Sequence, residues 1–330
     1  MKSINKTLIF VLAISFFLSS CKKKIIETIP VIEYENISLN DGGDVKAFSF
    51  PSLSVGYAAG NNLYKTTDGG QSWSKLNFTG IVKSIEFVNE NVGFCTSGGY
   101  LYKTIDGGQT WASNVSADYV AISQNGQIVV AKETTFIGNI KVSNNSGSTF
   151  NTVQTLSLDG HLIGLRVFGD IAYINDDKSY VDDVISGVNL ADSNKIVRLN
   201  TKATAEENPK DIYYKNGSGA AVGGKGLISN SSGSGNPYYI AAFDRSYYGH
   251  TYQYYSIDGY NGLMVAVGYH TIASNIDIKN DERWNEVFDK DRNGFEQTFF
   301  RVRFFNSNTF FISGNNGLIW KAKIWKQRLY

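Results

Sequence analysis

Few residues in this chain stand at spacings that could perform chemistry. Residues 289–294 alternate oxygen-bearing side chains and end in a glycine, as a twelve-residue calcium loop begins. Phe300 occupies the twelfth position, where such a loop requires Glu. We therefore interpret Asp289, Asp291 and Asn293 as a solvated hairpin turn, with a calcium site as the alternative. We predict no bound metal and no cofactor.

Catalytic side chains form no recognisable constellation. The three histidines, His161, His250 and His270, are scattered and have no metal-ligand spacing. Cys95 lies beside Phe94 in an apolar stretch, which favours a small buried hydrophobic residue over a reactive thiol. A formal net charge of +1 offers no electrostatic footprint for a nucleic acid. The residues thus predict a protein that is not an enzyme and has no nucleic-acid partner.

Two near-copies of one eight-residue phrase stand 38 residues apart, at residues 66–73 and 104–111. A third, decayed copy occupies residues 143–150, with Asn145 in place of the aspartate and Phe150 in place of the tryptophan. An aspartate can accept hydrogen bonds from its own turn, a glycine permits positive φ, and an aromatic ring anchors the turn. We predict that these positions fasten hairpins: Thr66, Asp68, Gly70, Trp73, Thr104, Asp106, Gly108, Trp111, Asn145, Gly147 and Phe150.

A period near 40 residues with strand-like sequence between turns is typical of one propeller blade. The 33 glycines and 4 prolines agree with many short strands joined by tight turns. We predict an all-β fold, a seven-bladed β-propeller of four-stranded antiparallel blades that forms one domain at residues 32–330. The last unit lacks an outermost strand, and we expect the alternating stretch at residues 32–39 to supply it and close the ring. The predicted units are 44–80, 81–117, 118–160, 161–207, 208–249, 250–295 and 296–330.

The repeated phrase resembles the Asp-box (BNR) repeat, Ser/Thr-x-Asp-x-Gly-x-Thr/Ser-Trp, at every fixed position of the first two copies. The preceding residues 55–65 and 92–103 are similar to repeats of the photosystem II assembly/stability factor group of propellers. That resemblance implies a role in assembly or stability. Asp boxes also occur in sialidases, which use an arginine triad with Tyr and Glu. The first three units contain no Arg, which counts against such a triad.

The N-terminus has the layout of a secretory signal. Lys2 and Lys6 precede an apolar run at residues 8–18, which is too short to span a bilayer as a mature helix. Residues 18–21 end this run in Cys21 and resemble a bacterial lipobox, which implies that Cys21 is lipidated. We predict a lipoprotein signal peptide at residues 1–20 and a lipidated tether at residues 21–31. The protein is then anchored in the bacterial cell envelope, at the inner or the outer membrane.

These features predict a membrane-anchored, non-catalytic binding or assembly scaffold whose partner is another protein or a glycan. Tyrosine is favoured at interfaces because its ring is apolar and its tip is polar. Tyrosines near the junction of the fifth and sixth units are the candidate ligand surface: Tyr238, Tyr239, Tyr247 and Tyr248. The alternative function is a sialidase-like glycoside hydrolase or a carbohydrate-binding propeller.

Overall fold

The computed structural model describes residues 28–123, 126–134, 137–157, 161–176, 184–192, 196–200, 209–215, 218–224, 228–231, 237–238, 253–275 and 284–328. The regular elements within these ranges are all β-strands. No helix in the described ranges has the length and apolar character needed to cross a membrane.

The strands are short, as expected for a glycine-rich chain with frequent turns. Those of the first half are β1 (Thr28–Asn36), β2 (Ala47–Ser49), β3 (Gly56–Ala59), β4 (Leu63–Thr66), β5 (Ser74–Lys75), β6 (Val82–Phe87), β7 (Gly93–Ser97), β8 (Tyr100–Thr104), β9 (Ala112–Ser116), β10 (Tyr119–Ile122), β11 (Ile128–Thr134), β12 (Ile137–Ser143) and β13 (Asn151–Ser157). Those of the second half are β14 (Leu162–Phe168), β15 (Ile171–Asp176), β16 (Val184–Asn189), β17 (Ile196–Asn200), β18 (Pro209–Lys215), β19 (Ser218–Gly223), β20 (Ile228–Ser231), β21 (Pro237–Tyr238), β22 (Tyr254–Tyr260), β23 (Leu263–Gly268), β24 (Thr271–Ser274), β25 (Asn285–Glu286), β26 (Phe288–Asp289), β27 (Phe299–Asn306), β28 (Thr309–Gly314) and β29 (Ile319–Arg328).

Within the described ranges, consecutive strands form six four-stranded sheets and one five-stranded sheet. Each four-stranded sheet is antiparallel and runs in chain order, from β2–β5 through β22–β25. Every one of these six sheets lies inside one of the units predicted from the sequence.

The buried faces of the sheets are joined by seven clusters of apolar side chains in the described residues. Each cluster combines side chains of two sheets that follow one another in the chain. The seventh joins the last sheet to the first, because Phe311 and Ile319 pack with Phe48 and Ala58. The second strand of each sheet therefore lies between two packed layers, which explains continuous apolar runs such as that of β23.

The five-stranded sheet has the order β26-β1-β29-β28-β27. Strand β1 pairs antiparallel with β29 along its whole length, from Thr28 opposite Arg328 to Asn36 opposite Trp320. It begins four residues before the stretch at 32–39 that we expected to supply this strand. Strand β26 adds a short parallel pairing at Val31 and Ile32, both buried. This fifth strand was not predicted, because a two-residue pairing leaves no periodic pattern in the sequence.

The strand order gives the sheets two distinct ends. Loops between first and second strands and between third and fourth strands share one end, which holds the Asp-box phrases and is called the box end. There, Gly69 N–H donates to Ser54 O and Gly107 N–H donates to Asn91 O, at 2.8 and 2.9 Å. Turns between second and third strands and the connections between sheets share the opposite end, called the hairpin end.

Candidate functional site

The first strands of five sheets carry the same irregularity near their start. Their pairing with the second strand shifts register across one residue, between Val82 and Ser84 in β6 and at corresponding places in β14, β18, β22 and β27. A bulge re-aims the side chains that follow it. Aligning the five bulges brings residues that are polar except for Gly164 into two levels: Ser84, Gly164, Asp211, Ser256 and Arg301, then Glu86, Arg166, Tyr213, Asp258 and Arg303.

Arg166 is the centre of a buried charged cluster formed by four of these strands, β14, β18, β22 and β27. Its Nη2 lies 2.7 Å from Asp258 Oδ1, and its Nε lies 3.6 Å from Asp211 Oδ1. Arg303 Nη1 approaches Asp211 Oδ2 at 3.8 Å. The Asp211 side chain is only 4% exposed and that of Arg166 only 11%, so water cannot replace these partners. The arginines and aspartates neutralise each other.

The carboxylates of the cluster also bind backbone groups of the next sheet. Asp211 Oδ2 accepts hydrogen bonds from Ser256 Oγ at 2.7 Å and from Ile257 N–H at 3.1 Å. Asp258 Oδ2 accepts from Phe304 N–H at 2.7 Å. A first strand has one edge without a strand partner, so its N–H groups need other acceptors. The aspartates satisfy that need while they hold the arginines.

Uncharged residues at the same levels make the same kind of link elsewhere. Ser49 Oγ accepts from Phe87 N–H at 3.1 Å, and Ser84 Oγ accepts from Val120 N–H at 3.4 Å. At these positions a serine hydroxyl accepts a hydrogen bond from a backbone N–H of the next sheet, as the aspartates do in the charged cluster. The negative charge of the aspartates pairs with the arginines.

Burial and neighbouring charges act in opposite directions on these groups. Burial alone would raise the pKa of Asp211, but Arg166 and Arg303 outweigh it and lower that pKa. For Arg166, burial acts to lower the pKa, and the carboxylates of Asp211 and Asp258 outweigh it. Burial together with the neighbouring Arg166 lowers the pKa of Arg303 to about 10. Asp211, Arg166 and Arg303 are thus charged at neutral pH.

A small cavity adjoins the cluster, lined by Ser84, Glu86, Tyr119, Arg301 and Arg303 among others. Its volume is about 20 Å³, which one water molecule would fill. Burial raises the pKa of Glu86, against the opposing effect of the arginines. Arg301 Nε donates to Lys46 O at 3.0 Å and so links the last sheet to the first.

The side chains of the repeated phrases, called boxes for their resemblance to the Asp box, bind their own turns at the box end. Asp68 Oδ1 accepts from Thr66 Oγ1 at 2.7 Å and from Ser72 N–H at 2.9 Å, and Gly70 N–H donates to Thr66 Oγ1 at 2.8 Å. The second box repeats these contacts around Asp106, within 0.1 Å in each of the three distances. The hydrogen bonds from Ser72, followed by that from Thr66, lower the pKa of Asp68 to about 2.

The decayed third box keeps the same geometry without a charge. Asn145 Oδ1 accepts from Ser143 Oγ at 2.8 Å and from Thr149 N–H at 2.9 Å, and Gly147 N–H donates to Ser143 Oγ at 2.9 Å. The Asn145 amide then donates to Thr149 Oγ1. An amide oxygen is therefore sufficient for the turn.

Lysines connect each of the first two boxes to the next one along the chain. Lys65 Nζ donates to Gly107 O at 3.1 Å, and Lys103 Nζ donates to Ser146 O at 2.6 Å. The indole of Trp73 donates to Ile37 O at 2.8 Å, whereas that of Trp111 donates within its own box to Gly108 O at 3.1 Å. The boxes therefore link neighbouring sheets as well as closing their own turns.

The other predicted site residues are only partly described. Asp289 Oδ1 accepts from Asp291 N–H and Asn293 N–H at 2.9 and 2.7 Å, and Asn293 Nδ2 donates to Asp289 Oδ2, so this segment is a turn held by its own carboxylate. No group of potential metal ligands occurs in the described part of the chain. Cys95 is fully buried, as predicted, and burial raises its pKa.

Tyr238 ends strand β21, opposite Asn230. The remaining members of the predicted ligand surface, Tyr239, Tyr247 and Tyr248, lie outside the described residues. The same is true of Cys21 and of the whole predicted signal peptide.

The charged cluster was not predicted from the sequence. Arg166 and Asp258 are 92 positions apart, so no local motif contains both. A signal was nevertheless present, because aligning the starts of the first strands puts polar residues at equivalent positions within otherwise apolar strands.

Comparison with known proteins defines the class of fold. No protein-family model matches the sequence, and no curated protein matches it. Among solved structures, one described as YCF48 bound to D1 peptide has a TM-score of 0.68 and 19% identity, covering 89% of this chain and 98% of its own. YCF48 from Cyanidioschyzon merolae has a TM-score of 0.65 and 14% identity, covering 87% and 98%. The fold is an all-β propeller.

The likeness in fold extends to a protein named as an enzyme. Virginiamycin B lyase from Staphylococcus aureus has a TM-score of 0.67 and 12% identity, covering 88% of this chain and 99% of its own. At such identities a shared fold carries no activity with it. The function has to be argued from the residues of this chain.

Proposed function

We propose that this chain is a membrane-anchored, non-catalytic β-propeller that binds a protein partner at the bacterial cell envelope. The observation that carries the proposal is the state of the central charges. Arg166 is bound by Asp211 and Asp258, and both carboxylates also serve the backbone of the next sheet. These groups hold sheets together, which leaves the outer surfaces for binding.

We further propose that the sheets are seven blades of one closed ring. Seven sheets in the described ranges and seven clusters between successive sheets support this arrangement. The long pairing of β1 with β29 supports closure by the N-terminal strand, since the last blade otherwise has only the three strands β27–β29. Closure leaves no open sheet edge within the ring.

The anchor is proposed from the sequence around Cys21. The tether predicted at residues 21–31 is shortened to residues 21–27, because strand β1 already begins at Thr28. Strand β29 is the third strand of its sheet and runs from the hairpin end to the box end. Thr28 pairs with Arg328, at the far end of β29, so the tether leaves the fold on the side of the box end. Changing Cys21→Ala should move the protein from the membrane fraction to the soluble fraction, and unchanged membrane retention would refute the anchor.

Two observations favour a protein as the partner. The structure described as YCF48 bound to D1 peptide is similar in fold, although its low identity transfers nothing beyond the fold. The described surface also carries exposed apolar side chains, which serve association better than catalysis. The tyrosines at 238, 239, 247 and 248 remain a proposed second contact area, testable by changing each to serine.

The alternative, a sialidase-like hydrolase, needs guanidinium groups that are available to a substrate carboxylate. Arg166, Arg301 and Arg303 do come together, beside Glu86 and the two aspartates. However, Arg166 is already paired with carboxylates, and the cavity of about 20 Å³ holds a water molecule rather than a sugar ring. We therefore propose that the cluster is structural.

Two assays test this function together. Affinity purification of the full-length protein from detergent-solubilised membranes should recover a specific protein partner. A panel of glycosides should show no hydrolysis above background. Hydrolysis that Glu86→Gln abolishes, in a variant that folds normally, would overturn the non-enzymatic proposal.

A further inference from the structure

The hairpin end of the second and third sheets exposes three apolar side chains. Ile81 is 85% exposed, Tyr100 is 54% exposed and Ile137 is 40% exposed. Single exposed apolar residues are common, but three on adjoining hairpins of neighbouring sheets form a patch. We call these three residues the hairpin-end patch.

Strand pairing and one close approach place the three residues on neighbouring sheets at this end. Val82 pairs with Ser97, and Ser97 pairs with Tyr100 across the turn at Gly98 and Gly99, so Ile81 lies beside the Tyr100 hairpin. A Cβ on Gly99 would lie 2.9 Å from Lys132 Nζ of the next sheet. Lys132 belongs to the same β11–β12 hairpin as Ile137, because Thr134 pairs with Ile137. The patch therefore crosses from one sheet to the next.

Charges around the patch favour a negative partner. Three described carboxylates at this end have partners: Asp44 lies 3.7 Å from Lys46, Asp118 lies 3.2 Å from Lys132, and Asp41 accepts from three backbone N–H groups. Lys83 is exposed, and its Nζ lies over the Tyr119 ring at 4.3 Å from the centroid. Arg301 contacts a backbone carbonyl. Within the described residues, Lys83 forms no ion pair with a carboxylate, whereas Arg301 lines the same cavity as Glu86.

The position of the patch relative to the proposed anchor is also informative. The tether leaves from the box end, so the hairpin end faces away from the membrane surface. The exposed Leu53, Val88 and Ile105 lie at the box end instead and would face the lipid. A protein partner can reach the hairpin end without displacing lipid.

Resting on the proposed binding function, we propose that the hairpin-end patch and Lys83 dock an extended segment of the partner protein that carries apolar and acidic side chains. The apolar side chains cover Ile81, Tyr100 and Ile137. An acidic side chain pairs with Lys83. Arg301 lies on the inner side of the same surface, within reach of a further carboxylate.

The test uses full-length protein in its own cells, with the photocrosslinking residue p-benzoylphenylalanine placed at one position at a time. Tyr100 and Ile137 report the hairpin end, and Val88 and Ile105 are matched, similarly exposed controls at the box end. Crosslinks from positions 100 and 137 should map to one acidic, apolar segment of one protein, and positions 88 and 105 should not yield it. Lys83→Glu should lower the yield about 3- to 10-fold, whereas Lys75→Glu on strand β5 should not.

Other outcomes refute the docking surface in distinguishable ways. A partner crosslinked mainly from positions 88 and 105 would refute the surface and leave the binding function intact. Crosslinks to lipid or to a second copy of this chain from position 100 would also refute it. No crosslinked protein from any position, together with no partner in the affinity purification, would overturn both proposals.

Discussion

Removing the guanidinium of Arg166 should be among the most damaging single changes in the chain. Arg166→Met keeps an unbranched side chain but leaves Asp211 and Asp258 buried, 4% and 12% exposed, without their main counter-charge. Removing one partner of a buried ion pair costs about 3–5 kcal/mol. Both aspartates keep backbone N–H donors, so we expect a loss near the lower limit, about 3 kcal/mol in the free energy of unfolding.

Two further variants separate charge from packing. In the triple variant Arg166→Met, Asp211→Asn, Asp258→Asn, the charges are gone and the amide oxygens can still accept the N–H groups of Ile257 and Phe304. We expect it to regain about half or more of the loss. The control Lys323→Met breaks the exposed pair with Glu33, at 2.9 Å, and should cost less than about 1 kcal/mol.

The assay is equilibrium unfolding in urea, followed by tryptophan fluorescence and circular dichroism. The Arg166→Met loss should shrink as the pH falls from 7 to 5, because the buried Asp211 carboxylate loses the neighbouring charge that lowers its pKa and is then more easily protonated. A loss below 1 kcal/mol, or a triple variant no more stable than Arg166→Met, would refute the reasoning that this cluster holds the sheets together.

Three further changes test the boxes and the N-terminal strand. Asp68→Asn should keep the turn, as Asn145 does in the third box, but should make the stability of the protein less dependent on acid pH. With a folded pKa of about 2, the Asp68 carboxylate stabilises the fold above about pH 4 and loses this effect as the pH falls towards 2. Circular dichroism during an acid titration would measure the difference. Ile32→Ala, at a side chain only 1% exposed between β29 and β26, should cost about 2–5 kcal/mol in urea unfolding, and a loss under 1 kcal/mol would contradict the role of β1. Gly70→Ala should lower the melting temperature more than Gly98→Ala. Both glycines have positive φ, but only at Gly70 would a Cβ meet Ile37, at 2.6 Å. Equal effects of the two changes would contradict this packing.

The repeat units could be predicted because their turns are local. An Asp box contains its donors and acceptors within a few residues, so the period of the boxes marked the sheets, and the sheets without a box followed the same alternation of strands and glycine turns. The same local logic explains why Asn145 and Phe150 could be recognised as a decayed copy. Contacts within one hairpin are encoded in one stretch of sequence.

The charged cluster could not be predicted in this way, because its members meet only when the sheets pack. Asp211 reaches Ser256 across 45 positions, and Arg166 reaches Asp258 across 92. Their convergence depends on the common bulge in the first strands, which is a property of pairing register. The short parallel strand β26 likewise depends on where the N-terminal strand lies.

The central claim, a propeller that works by holding a partner, is tested most directly by native mass spectrometry of the full-length protein released gently from its membrane. We expect a complex in which this chain, lipidated as proposed, carries one additional, specific protein, and in which Lys83→Glu increases the fraction of free chain. A preparation that contains only the free chain and hydrolyses glycosides would contradict it.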